Sequence, residues 1–323
     1  MTAATGDRAA RVLVALGGNA MSAPDGSATE EHQIAALTVA AGHIAELIAR
    51  GFDVAITHGN GPQVGNLLVK NELSAAVVPP VSLDWCVAQT QATIGFVLAS
   101  ALEAALAERG IDRPVAALVT RTLVDAADPA FARPNKPVGR YRSAQEAAPL
   151  IAHGQHWQDF GAKGWRRVVA SPAPIRVLDA AVGSALLDSG TVVILAGGGG
   201  IPVVQDGNRV RGVEAVIDKD STASLLADGL GADFMVIATD VPEAVVGYGT
   251  PQARPLGAVS AAELAGYAAA GHFAAGSMGP KVASAIAFGS TPGRTAIITA
   301  LDRLADALTI GGVGTVVTTQ ISD

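Results

Sequence analysis

Apolar positions along this chain switch repeatedly between two periods. Arg11 to Leu16 is a short, β-branched-rich apolar run that ends in Gly17-Gly18-Asn19, so it reads as a buried strand running into a tight turn. Ile34, Leu37, Ala41, Ile44 and Ile48 then recur at helical intervals behind a capping-box spacing, Ser27 to Glu30, and Gly51 closes that helix. Val54 to Thr57 predict a second strand, followed by His58-Gly59-Asn60-Gly61 and by Pro62 in the first turn of another helix. A long amphipathic helix is predicted over 84–109, and strands over 115–120, 192–195, 234–239, 295–299 and 316–319. Helices are predicted over 176–189, 220–230, 281–289 and 301–308, and a capping box at Ser260–Glu263 opens one more. Asp206-Gly207 marks a hairpin turn. Strand, helix, strand, helix, with glycine at each strand end, predicts an α/β chain with a parallel sheet, right-handed crossovers and ligands at the carboxyl ends of the strands.

One stretch breaks the pattern. Between about 122 and 166 the chain is polar and proline-rich with few periodic apolar residues, so it is expected to protrude from the sheet, and Val168 and Val169 return to it.

Composition narrows the classes. In 323 residues, half are hydrophobic and only 4% aromatic, so the core is built from Ala, Val, Leu and Ile. Mean hydropathy is +0.37. Yet no uninterrupted apolar run reaches the roughly 18 residues of a membrane span, and the amino terminus lacks a signal-peptide layout, so a cytoplasmic location is expected. The net charge of −7, without a basic stripe, argues against nucleic acid as a partner. Cys86 is the single cysteine and reads as a small buried hydrophobe. The six histidines show no metal spacing, and no protein metal site is predicted.

The chemistry gathers at 191–220. A buried strand runs into Gly197-Gly198-Gly199-Gly200, a hairpin follows, and Asp218-Lys219-Asp220 opens a helix. A glycine turn lets backbone approach a ligand closely, and a helix start favours an anion. A second lysine, Lys281, follows the loop Gly276-Ser277-Met278-Gly279-Pro280, and a third, Lys136, sits in the excursion. Lysines delivered from separate loops suit phosphoryl transfer, which asks for positioned donors and cations rather than covalent chemistry. The P-loop pattern G-x-x-x-x-G-K-[ST], a dinucleotide G-x-G-x-x-G after the first strand, and a G-x-S-x-G elbow are all absent.

Seven segments in series resemble one family: LGGNA (16–20), THGNGPQVG (57–65), DPAF with NKPVG (128–131, 135–139), RRVVASP (166–172), GGGGIPV (197–203), GVEAVIDKD (212–220) and GHFAAGSMGPKV (271–282). Together they resemble carbamate kinase, a branch of the amino-acid kinase family, over about 11–319. The resemblance implies a homodimer with an αβα sandwich around an open, mainly parallel sheet and a small protruding subdomain. It implies reversible, Mg²⁺-dependent phosphoryl transfer between ATP and carbamate, often run toward ATP at the end of arginine or purine catabolism. An amino-terminal lobe (1–175, including the subdomain at about 122–166) would bind the small acid, and 176–323 the nucleotide. Gly17, Gly18, Asn19, Asn60, Gly61, Gly198 and Gly199 would contact carbamate and the moving phosphoryl group. Lys219 and Lys281 would stabilise its charge, Asp220 would organise them, and Lys136 would close over the site. Asp240, Tyr248, Ser277 and Met278 would lie near ATP or ADP.

Pro242, Ala127 and Trp85 depart from the family pattern, which bears on loop detail and nucleotide affinity. Two other readings compete: a sister kinase acting on another small carboxylate, and a nucleotide sensor without catalysis. No pocket of arginines for a larger acid is evident, and all three lysines with Asp220 are retained.

Overall fold

The computed structural model describes residues 8–18, 29–274, 276–308 and 312–321. Eight strands pair into one sheet, in the spatial order 258–260, 315–318, 295–300, 234–239, 11–16, 53–58, 192–194 and 115–117. Arg11–Leu16 is central and pairs parallel with Asp53–His58 and with Phe234–Thr239. Only 315–318 runs antiparallel to its neighbour 295–300, and 258–260 follows its direction. The central strands 11–16, 53–58 and 234–239 are buried almost throughout because each face is covered, as their apolar composition requires, whereas the edge strands 115–117 and 258–260 are partly exposed.

Alternation along the central strand shows the layers. Val12, Val14 and Leu16 pack with helices α1 (Glu30–Ala49) and α3 (Leu83–Ala107). Leu13 and Ala15 point the other way, into a cluster with α5 (Ala180–Asp188), α6 (Lys219–Gly229), α7 (Ala261–Ala269) and α8 (Met278–Gly289). The result is an αβα sandwich. Helix α2 (Gly61–Ser74) packs in a separate cluster with Val138 and Val169, which fastens the excursion to the body. α1 and α3 each carry an 18-residue window apolar enough to cross a bilayer, with mean hydropathy 1.2 and 1.3. Both pack Leu37, Ile44, Ile94 and Leu98 into the core.

Several boundaries differ from the sequence reading, each for a physical reason. Thr29 caps α1 by accepting from the His32 amide; Ser27 lies outside the described residues. The excursion has elements that the sequence reading did not name: Lys136–Arg142, Trp165–Val169 and Trp157–Asp159 form a three-stranded antiparallel sheet with a bulge, and helix α4 (Ala144–Ala152) opens with a true capping box, Ser143–Glu146. Helix α5 starts at Ala180, because Pro174–Val177 is a strand paired antiparallel with Arg121–Val124. That pair belongs to a second sheet completed by the predicted hairpin, Ile201–Asp206 with Arg209–Gly212. α8 begins at Met278, three residues early, with Pro280 in its first turn where no amide is needed. In place of a helix at 301–308 there are two short 3₁₀ turns. Cys86 is buried with its thiol pKa raised, chiefly by burial, consistent with an inert packing residue.

Candidate active site

The glycine turn and the start of α6 meet at the carboxyl ends of the central strands. Ala196 (φ 52°), Gly198 (φ 65°), Gly199 (φ 89°) and Gly200 (φ 88°) lie in the left-handed region. Gly198 is required twice over, by this φ and by space: a Cβ there would fall 2.1 Å from the Asn60 amide nitrogen. Side chains from distant elements pin the turn. Gln91 donates to the carbonyls of Thr120 and Gly197. Thr122 and Thr222 both donate to the Gly199 carbonyl, at 2.8 and 3.0 Å, and Thr57 to that of Ala196. Sequence reasoning missed these four residues. Their partners are backbone carbonyls far along the chain, and no local pattern announces that.

At the other side of the turn, Asp218 caps α6. Its Oδ1 accepts from the amides of Asp220 and Ser221, and its Oδ2 accepts from Lys136 Nζ at 2.9 Å. The first-turn amides are therefore largely satisfied within the protein. The attraction for an anion comes from the lysines rather than from open helix N–H groups, which corrects the sequence reading on that point. Asp220 is 5% exposed and stands between two of them: Lys219 Nζ is 2.7 Å from Oδ1 and Lys281 Nζ 3.0 Å from Oδ2. Ser284, one turn beyond Lys281 on α8, donates to the Asp220 carbonyl at 2.6 Å and locks α8 to α6.

Burial pulls the Lys219 pKa down, while the adjacent carboxylate opposes that. Burial alone would raise the Asp220 pKa, but Lys219 and Lys281 outweigh it and hold the carboxyl below its usual range. Asp220 is thus a fixed anion and no candidate general base. The contact between Lys219 and its sequence neighbour is close but poorly angled. Both Lys219 Nζ and Asp220 Oδ1 are buried without a hydrogen-bond partner. The ammonium keeps its ion pair with Asp220 at 2.7 Å, and a ligand oxygen would add a better-aligned acceptor. Counting Lys136, three ammonium groups face two carboxylates, a net positive charge that suits a phosphate oxygen.

His58 closes the floor. It is 1% exposed, with Nδ1 2.7 Å from the Gly59 carbonyl oxygen, and any side chain on Gly197 would strike its ring. Burial lowers its pKa from 6.5 to about 4, partly opposed by the Gly59 contact and reinforced by Lys219. The imidazole is therefore neutral near neutral pH. Between those values the unfolded chain binds the extra proton, so stability falls as pH drops from 6.5 toward 4. The full shift corresponds to a loss on the order of 3 kcal/mol. Urea unfolding at about pH 7 and about pH 4.5, with His58→Asn as control, checks this; the variant's profile should be flatter by roughly that amount.

The remaining predicted residues divide into three groups. Gly17 donates its amide to the Ala238 carbonyl at the end of the central strand pair, and Gly18 follows it; Asn19 lies outside the described residues. Asn60, Gly61 and Lys136 line a cavity of about 740 Å³ between α2 and the excursion sheet, shared with Val138 and Arg140. Asp240, Tyr248, Ser277 and Met278 sit on the α7–α8 side. Asp240 accepts from Thr239 Oγ1, Tyr248 is 83% exposed, Ser277 precedes α8, and Met278 packs one turn before Lys281. The Gly247 amide donates to His272 Nδ1 at 3.3 Å, which ties the Tyr248 loop to the glycine-rich loop before α8. Ala127 donates its amide to Asp125 with no strain, and Trp85 is 63% exposed, so its bulk displaces nothing.

An αβα sandwich with buried ammonium groups and a glycine corner at its strand ends defines the class of small-molecule phosphotransferases. The chain belongs to the amino acid kinase family, whose model matches residues 10–299. It is 44% identical over 304 residues to a carbamate kinase of Thermococcus kodakarensis, covering 92% of this chain and 96% of that one. It is 43% identical over 310 residues to carbamate kinase 1 of Enterococcus faecium, covering 95% and 99%. The solved structure of carbamate kinase from Giardia lamblia bound to AMP-PNP superimposes with a TM-score of 0.91 at 39% identity, covering 96% of this chain and 98% of that one.

Proposed function

We propose that this chain is a carbamate kinase, moving a phosphoryl group reversibly between ATP and carbamate. The observation that carries this is the pair of buried ammonium groups, Lys219 and Lys281, held on the two oxygens of one carboxylate, Asp220, at 2.7 and 3.0 Å. In the ATP-forming direction a terminal oxygen of ADP attacks the phosphorus of carbamoyl phosphate. The bond from phosphorus to the carbamate oxygen breaks, and carbamate leaves with that electron pair, then decays to ammonia and CO₂. Attacking and leaving oxygens are both anionic, so no side chain has to move a proton, in keeping with an Asp220 held ionised and a His58 held neutral. What the reaction needs is cancellation of charge on the transferring oxygens. Lys219 and Lys281 supply it, Asp220 keeps their like charges together, and Lys136 approaches from the excursion.

In this proposal the glycine corners at Gly17, Gly18, Asn60, Gly61, Gly198 and Gly199 face the acid and its phosphate, and the segments of Asp240, Tyr248, Ser277 and Met278 face the nucleotide. The acid side then falls in 1–175 and the nucleotide side in 176–323. Among the described residues no three His, Cys, Asp or Glu side chains gather into a metal cage, and both site carboxylates are already held by lysines. Mg²⁺ would accordingly take its ligands from nucleotide phosphates and water. The protein is proposed to be cytoplasmic, with small molecules and a second copy of itself as partners rather than nucleic acid or membrane. Trp85 and Phe96, both exposed on α3, give that second copy an apolar face. Purified protein given carbamoyl phosphate, ADP and Mg²⁺ should form ATP, read by luciferase; ATP no higher than the enzyme-free blank at saturating substrate rejects the proposal.

A further inference from the structure

The excursion sheet gathers positive charge around the cavity that it shares with α2. Residues 122–169 hold seven lysines and arginines against four acidic residues, in a chain whose net charge is −7. Alternation along the strand 165–169 sends neighbouring side chains to opposite faces. Arg167 reaches Glu214 at 3.4 Å, whereas Arg166 lines the 740 Å³ cavity together with Arg140 and Lys136. Arg166 is fixed in place without being neutralised. Its Nε donates to the Gly139 carbonyl at 2.9 Å, and its guanidinium carbon lies 5.1 Å from the centre of the Tyr141 ring. Neither terminal nitrogen is bonded to a described residue, and no carboxylate among those residues pairs with it. Arg140 is only loosely paired: its side chain is 49% exposed and lies 3.8 Å from Glu72, whose same oxygen Arg142 holds more closely.

We infer that Arg166, seconded by Arg140, makes this cavity an anion-capturing vestibule, which takes carbamoyl phosphate or carbamate before it reaches Lys219 and Lys281; this rests on the carbamate kinase proposal above. Both small acids are anionic, and both are far smaller than the cavity, so there is room for capture at the arginines and passage inward. Asn60, Gly61 and Lys136 line the same cavity, and Lys136 pairs with Asp218 at the start of α6, next to Lys219. A guanidinium with Nε already engaged presents its terminal N–H groups as a fork, which a carboxylate or phosphate accepts in bidentate fashion. Two arginines lining one cavity also raise the local concentration of anions, and salt screens that attraction. Arg140 and Arg166 come from paired strands, so the cluster exists only once the sheet has formed. No pocket of arginines is legible in the sequence for that reason.

The test is the rate of ATP formation from carbamoyl phosphate, ADP and Mg²⁺ by wild type, Arg166→Gln and Arg140→Gln. Binding made before transfer, and not strengthened in the transition state, shows in KM and not in kcat. Arg166→Gln should raise the KM for carbamoyl phosphate about tenfold, the worth of one charged hydrogen bond. Its kcat and its KM for ADP should stay within about twofold of wild type. Arg140→Gln removes a side chain that makes no hydrogen bond to the described residues, and should raise the same KM by about threefold or more. If Arg166→Gln melts below wild type, Arg140→Gln alone decides. Raising NaCl from about 20 to about 200 mM should raise the wild-type KM for carbamoyl phosphate and change that of Arg166→Gln much less. A KM for carbamoyl phosphate within about twofold of wild type in the deciding variants, a fall in kcat with KM unchanged, or an equal rise in the KM for ADP overturns the inference while the kinase proposal stands. If wild type forms no ATP, the kinase proposal falls and takes this inference with it.

Discussion

Lys219→Ala lowers kcat for ATP formation by roughly 10²–10³, the usual effect of removing one preorganised donor to a transition-state charge. The fold should survive. Asp220 keeps Lys281 at 3.0 Å, so no carboxylate is stranded, and removing Lys219 also removes its repulsion with Lys281. Loss of kcat without loss of stability separates a group that serves the reaction from one that serves the fold. Lys219→Arg is not a mild substitute. The side chain is only 11% exposed, the guanidinium is broader, and its planar fork cannot occupy the place of a point charge. It should recover little of the lost rate.

Asp220→Asn gives the opposite signature, a loss of both stability and turnover. The two lysines approach from the first turns of different helices, and only this carboxylate lies between them. Neutralising it leaves two buried like charges, a change that costs about 3–5 kcal/mol when a buried pair is broken. For a chain of this length that corresponds to a fall in Tm of about 4–7 °C. The pH dependence fixes the cause. Burial already lowers the Lys219 pKa, and loss of Asp220 lowers it further. The unfolded chain then binds more protons than the folded one above neutrality, so the variant should regain stability as pH rises from about 7 to about 9. A melting temperature that stays flat over that range would assign the loss to packing instead of charge.

How much of this was legible in the sequence depends on whether the determining partner is local. Arg11–Leu16 was readable to the residue because a β-branched run bounded by glycine has few alternatives. The start of α6 was readable because Asp218 caps it from the adjacent position. The excursion was not, since its strands at 136–142 and 157–159 have few buried positions and are fixed by pairing with 165–169. Gly279-Pro280 reads as a loop, yet the first turn of a helix accepts both, so α8 starts early. The lysines were named from their glycine-rich surroundings, but their common focus on two carboxylates, and the choice of Asp218 by Lys136, are tertiary facts. Gln91, Thr122 and Thr222 were invisible for the same reason: each acts on a carbonyl brought near only by the crossover connections.

The central claim is that one carboxylate holds two buried ammonium groups ready for a phosphoryl group in transit. Rapid-quench measurement of a single turnover, with enzyme in excess over carbamoyl phosphate and saturated with ADP, isolates that step. The account predicts that Lys219→Ala slows the chemical step itself by roughly 10²–10³ while ADP binds with unchanged affinity. A chemical step as fast as that of the wild type, with any steady-state loss arising in substrate binding or product release, would contradict it.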